Sequence, residues 1–227
     1  VRHNRRGFTL IEVLAVIGII LVLLGLLVGA YRHISQAAAR KETIADLHIC
    51  RAMLTEYENH NGISVVTNAT GAGPIGPYVG DVSSRGGGAR FGSGVANTMK
   101  MMIGLLQVPA NRTVVEGIQA KRILEPKTNT TAITLDQGTV LLDGWGNPII
   151  VVPPAGLVVK IKDPSDTTGA TMVPYIVRTS GTYPCTPPSP PYTASVPVSA
   201  ADRPFFASAG QDGDFSFGED NVYSFQD

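Results

Sequence analysis

From Phe8 to Val28 the chain reads "FTLIEVLAVIGIILVLLGLLV", 21 residues with one charge, Glu12, and the next charge is Arg32. As a helix this run is about 31 Å long at 1.5 Å per residue. A bilayer core is about 30 Å thick. A cleaved secretory signal has a shorter apolar core, about 7–15 residues, with its cleavage site behind it. Here the pattern changes instead of stopping. In "YRHISQAAARKETIADLHICRAMLTEYENHNG", Ile44, Leu47, Cys50, Leu54 and Tyr57 recur at steps of three and four and no proline intervenes. That spacing predicts one apolar stripe on a continuing helix, which Gly62 should stop. The expected element is therefore a single helix with two characters, apolar all round over 8–30 and amphipathic over 31–62. The stripe needs a partner to bury it, and Cys50, lying on it, reads as a core residue.

Beyond Gly62 the periodicity weakens. Residues 63–130 read as an αβ connection, glycine-rich and irregular over 63–94, with a short helix predicted over 97–107 from Met99, Met102, Ile103 and Leu106. The stretch 113–124 suits helix or strand. "GAGPIG" at 71–76 matches a dinucleotide-binding glycine pattern in form only, because no strand precedes it and Pro74 and Pro77 oppose a helix after it. Residues 131–209 turn to short apolar runs bounded by Gly, Pro and Asp: "AITL", "TVLLD", "PIIVV", "LVVKIK", "VPYIVRT" and a last strand in "PFFASAG". "DGWGNP" marks a turn between two of them, and the proline-rich 183–204 cannot form a central strand. Residues 210–227 form an acidic C-terminal loop. The fold class expected is α+β: a long N-terminal helix, transmembrane in its first half and amphipathic in its second, packed on a small antiparallel β-sheet within one head, 63–227.

Composition narrows the function. The chain has 18 basic and 18 acidic residues, three of the basic ones being Arg2, Arg5 and Arg6. Such a balance gives no basic surface for nucleic acid. Its four histidines, His3, His33, His48 and His60, all precede the head. A Ser–His–Asp or Cys–His unit, or a His-ligated zinc, therefore cannot be built within the head. No nucleophile elbow, P-loop or Cys-x-x-Cys occurs, and no enzyme is expected. Four carboxylates do cluster near the end, Asp212, Asp214, Glu219 and Asp220, beside Gly210, Gly213 and Gly218. Hard oxygen donors on a glycine-turned loop suit calcium; a solvated acidic turn reads equally well.

Glu12 remains. A carboxylate inside an apolar helix costs up to about 2.5–3.5 kcal/mol at the bilayer centre and less near an end. Arginines on the N-terminal side hold that end in the cytoplasm by the positive-inside rule. "RRGFTLIEVLAVIGII" resembles the N-terminus of type IV prepilins and type II secretion pseudopilins. That resemblance implies a leader, residues 1–7, cut by a prepilin peptidase after Gly7. It further implies methylation of the new N-terminus at Phe8, and an assembly role for Glu12, the fifth residue of the processed chain. The carboxylate would pair with the Phe8 amine of a neighbouring copy. A plain signal anchor with a snorkelling Glu12 is the alternative.

The head extends the likeness. "LLDGWGNPIIV" looks like the "DPWGNPY" hairpin of the major pseudopilin, with Gly144 for Pro and Ile149 for the aromatic. "FFASAGQDGDFSFGEDNVYSF" looks like its "SxGxDGxxGxxDDI" ending, where the family's loop holds calcium. Carried over, Asp212 and Asp220 match best as ligands, with Asp214 and Glu219 weaker. The head is longer than that family's, mostly in 63–94 and 183–204. The resemblance implies a structural subunit that polymerises with itself and other pilin-like subunits on an inner-membrane assembly platform. The head would be periplasmic, and the product a pseudopilus supporting protein export. Alternatives are a type IV pilus subunit for adhesion, motility or DNA uptake, and a membrane-anchored binding domain that does not polymerise.

Overall fold

The computed structural model describes residues 10–62, 78–79, 93–118, 122–124, 139–163, 166, 168, 171–185, 197–199, 201–215 and 218–226. The chain divides into two compact units, residues 1–39 and 40–227. The predicted "AITL" strand, the "GAGPIG" stretch and most of the proline-rich segment lie outside the described residues.

Helix α1 spans Leu10–Asn61. It ends where the sequence marks it: Gly62 takes a positive φ of 69°, and its N–H donates to the Glu58 carbonyl at 2.8 Å. Without a Cβ, glycine reaches that conformation at little cost. In unit one the apolar side chains are exposed, Leu10 by 80% and Ile11 by 74%. In unit two the predicted stripe is buried: Leu47, Cys50, Leu54 and Tyr57, joined by Thr43, Asp46 and Met53, with Ile44 half-buried.

Helix α2 is Ser93–Leu105, longer at its start than the 97–107 expected, and α3 is Pro109–Glu116. Pro109 opens α3, where its missing N–H costs no helical bond. The stretch 113–124 is thus both alternatives in turn, helix to Glu116 and then a strand, β2, at Ile123–Leu124. Buried Asn111 ties these helices to α1. Its Nδ2 donates to the Met53 carbonyl at 2.9 Å and to the Leu105 carbonyl at 3.0 Å.

Three small sheets follow. Strand β1 (Tyr78–Val79) pairs in parallel with β5 (Leu157–Lys162), which pairs antiparallel with β6 (Met172–Arg178), and β6 with β7 (Gly181–Pro184). Strand β2 pairs antiparallel with β3 (Val140–Leu141). In the third sheet β4 (Ile150–Val152) pairs with β8 (Phe205–Ser208), and β8 with β9 (Val222–Tyr223), all antiparallel. The α+β fold expected from the pattern is present, with two corrections. "PFFASAG" is not the last strand, since the acidic tail returns and adds β9 beside it. The connection over 63–94 contributes the parallel strand β1, and α2 begins at its end. The start of the proline-rich stretch lies in β7, an edge strand, the place a sheet tolerates proline.

The β4–β8–β9 sheet is buried on both faces, which explains unbroken apolar runs such as "PIIVV" and "PFFASAG". Val151, Phe206 and Val222 face one core with Leu47, Cys50, Met53 and Leu54 of α1. Their neighbours Ile150, Val152, Phe205, Ala207 and Tyr223 face the other core, with Val95, Leu157, Val159 and Phe215. Alternate side chains point to opposite faces, so a strand covered on both sides shows no alternation.

Candidate functional site

The N-terminal candidates fall on two sides of the described boundary. Gly7 and Phe8 lie outside the described residues. Glu12 is in the first turn of α1 and is exposed. An acidic group there is favourably placed toward the positive end of the helix dipole. The helix carrying it is long and apolar enough to cross a membrane, and among the described residues none of its most apolar window is buried. In lipid such a helix satisfies every backbone group internally. In water, its exposed leucines, isoleucines and valines would each leave about 1.5–3 kcal/mol of burial unrealised.

The C-terminal candidates are held in detail. The loop leaves β8 at Gly210, φ 68°, where a Cβ would collide with the Asp220 carbonyl. Both backbone groups of Gly210 are used: its N–H donates to Ser208 Oγ at 3.0 Å, and its carbonyl accepts from Asn147 Nδ2 at 2.7 Å. Asp220 Oδ2 accepts from the Asp212 N–H at 3.2 Å, and Asp212 Oδ1 from the Asp214 N–H at 2.8 Å. Asp212 and Asp220 thus meet at the neck of the loop. Glu219 goes elsewhere, pairing with Lys162 of β5 at 2.8 Å, and the Gly218 N–H donates to the Lys160 carbonyl at 3.2 Å. Among the described residues no group of three or more His, Cys, Asp or Glu is arranged to share a metal ion.

Behind the neck lies a residue that sequence reasoning missed. Asp143, at the start of the predicted turn, is 3% exposed. Its Oδ1 accepts from the N–H groups of Trp145 at 2.9 Å and Asn147 at 2.8 Å, and its Oδ2 from the Ser208 hydroxyl at 2.6 Å. Burial pushes the Asp143 carboxyl above its usual range, against the pull of those bonds. Gly144 donates through its N–H to Thr43 Oγ1 of α1 at 3.0 Å. Of the turn's two glycines only Gly146 uses positive φ, 83°. The available signal was an Asp opening a glycine-rich turn, a residue that bonds nearby backbone; its burial came from distant strands.

The two cysteines are free thiols. Cys50 is wholly buried, and burial pushes its thiol up to about 12, so it is the core residue expected and a poor nucleophile.

Residues 2–28 match the family model for the prokaryotic N-terminal methylation motif. No curated protein and no solved structure matches the chain. The matched segment, 27 of 227 residues, is the type IV pilin-like prepilin signature, and it includes Gly7, Phe8 and Glu12. This is a signature of structural subunits and not of enzymes. It implies processing by prepilin peptidase and assembly with other pilin subunits.

Proposed function

We propose that the chain is a pseudopilin, a subunit that polymerises into a type II secretion pseudopilus and so supports protein export. One observation carries the polymerising role: the exposed apolar half of α1 bears a single carboxylate, Glu12, inside the matched motif. An apolar surface of that extent has to be covered, by lipid before assembly and by neighbouring copies after it. A head-to-tail contact that does not close produces a fibre. Assignment to secretion over a surface pilus rests on the "LLDGWGNPIIV" hairpin and the acidic ending. In this reading prepilin peptidase cuts after Gly7 on the cytoplasmic face and the Phe8 amine is methylated. The head waits in the periplasm, anchored in the inner membrane near an assembly platform. The Glu12 carboxylate pairs with the Phe8 amine of the next subunit.

Glu12→Ala separates assembly from insertion. The variant should insert and be cleaved, because removing the charge makes the helix more apolar, yet give no filaments by electron microscopy. Filaments in normal number would reduce Glu12 to a snorkelling residue. In the same host, deleting the protein should abolish export of folded proteins; loss of surface fibres with export intact would select the pilus instead.

We further propose that Asp212 and Asp220, with backbone carbonyls of the glycine-turned loop, hold Ca²⁺ as a structural ion. The supporting feature is their convergence at the loop neck, with donors of the hard oxygen type that calcium takes. Glu219, engaged by Lys162, is not assigned to the ion, and Asp214 is secondary to these two.

A further inference from the structure

We propose that the 143–147 turn is a two-sided latch, coupling the order of the C-terminal loop to helix α1. The turn holds α1 on one side, through the Gly144 N–H to Thr43 Oγ1 at 3.0 Å. It holds the loop on the other, through Asn147 Nδ2 to the Gly210 carbonyl at 2.7 Å. Between them the buried Asp143 carboxylate joins the turn to β8: it accepts from the N–H groups of Trp145 and Asn147 and from the Ser208 hydroxyl, whose oxygen in turn accepts from the Gly210 N–H.

Three features make this more than adjacency. Gly210 has both backbone groups taken by the latch and lacks room for a Cβ beside Asp220, so the loop neck has little freedom to move alone. A Cβ at Gly213 would likewise press on Asn147 Oδ1 at 2.8 Å, so the loop touches the latch at a second point. Finally, Thr43 and Ser208 are wholly buried. A bond lost here leaves a polar group that water does not readily satisfy, and the deficit is relieved by moving the turn. What perturbs the loop, a ligand or a neighbouring subunit, is thereby felt at Thr43, and the reverse, since coupling between two sites is reciprocal. The inference holds for any use of the α1 helix and does not depend on the pseudopilin reading.

Amide hydrogen exchange on the full chain in detergent tests it. Thr43→Val keeps the shape of the side chain and removes the acceptor. It should raise exchange about fivefold, the scale of one net hydrogen bond, at 143–147 and also at 209–215, leaving β5 and β6 unchanged. Asn147→Ala should raise exchange at 209–215 and, across the latch, at 43–47. Thr55→Val, whose exposed hydroxyl bonds only its own helix at Arg51, should change none of these. Exchange raised at 143–147 but not at 209–215 in Thr43→Val would overturn the coupling. So would an equal rise across β5 and β6 in both variants, which is general loosening. Should Thr43→Val not fold, Asn147→Ala decides alone, by whether exchange at 43–47 rises or stays.

Discussion

The two halves of α1 share one backbone geometry and opposite surfaces. Over residues 10–38 nearly every apolar side chain is exposed, whereas over 43–57 a single stripe is buried against α2, α3 and the β4–β8–β9 sheet. The second half finds its cover within its own chain. The first has no cover within the described residues of the chain. Helical period, by itself, separates these fates: a stripe marks a helix that packs on one side, and apolarity all round marks one surrounded.

Leucines in the two halves should respond differently to truncation. Leu47→Ala, at 1% exposure, should lower the stability of the head by about 2–5 kcal/mol, the range for a buried leucine truncated in a packed core. Leu24→Ala, at 53% exposure, should leave the melting of the head unchanged in detergent. Equal effects would remove the distinction between the two halves.

The proposed calcium site concerns the head alone. An ion bound only to the folded head stabilises it by about 2.7 kcal/mol at a hundredfold excess over Kd, a rise of several degrees in a chain of this size. The full chain in detergent should melt higher in millimolar Ca²⁺ than in chelator, with less effect from Mg²⁺, which demands tight octahedral geometry. Asp212→Ala and Asp220→Ala should each remove the effect, and Asp163→Ala should not. Identical melting with calcium and chelator would leave an ordinary acidic turn.

A smaller effect is expected with pH. Burial pushes the Asp202 carboxyl up, but hydrogen bonds from Ser180 and Ser199 and the charge of Arg178 outweigh it, holding the group below its ordinary 3.8. A carboxylate depressed in the folded state contributes stability that is present above 3.8 and lost as pH falls through the folded value. Acid melts of Asp202→Asn should therefore be flatter below pH 3.8 than those of the native chain. Parallel curves would remove Asp202 from the acid response.

What was legible in the sequence was local. The C-terminal end of α1 followed from Gly62, and the burial of its stripe from period. The helix around Met99 and Met102, and the strands at 150–152, 157–162, 172–178 and 205–208, followed from short apolar runs between turn residues. Long-range pairing was not legible. Strand β9 is two residues inside an acidic stretch and exists because Val222 and Tyr223 meet β8. Strand β1 pairs with β5 across 79 positions of chain, Tyr78 to Leu157. Asp143 looked like a surface turn residue, and only the approach of Ser208, 65 residues away, buries it. The four-carboxylate group separated for the same reason: Lys162 lies on another strand and claims Glu219.

On the proposed function, the first half of α1 belongs to a processed subunit built to pack against copies of itself. Mass and N-terminal sequence of the protein extracted from membranes of a host with prepilin peptidase decide whether it does. Expected is a chain beginning at Phe8 with a methylated amine, and a Gly7→Val variant that keeps residues 1–7. A native chain that keeps residues 1–7 in that host would make α1 a plain membrane anchor, and polymerisation through Glu12 and the Phe8 amine would fall with it.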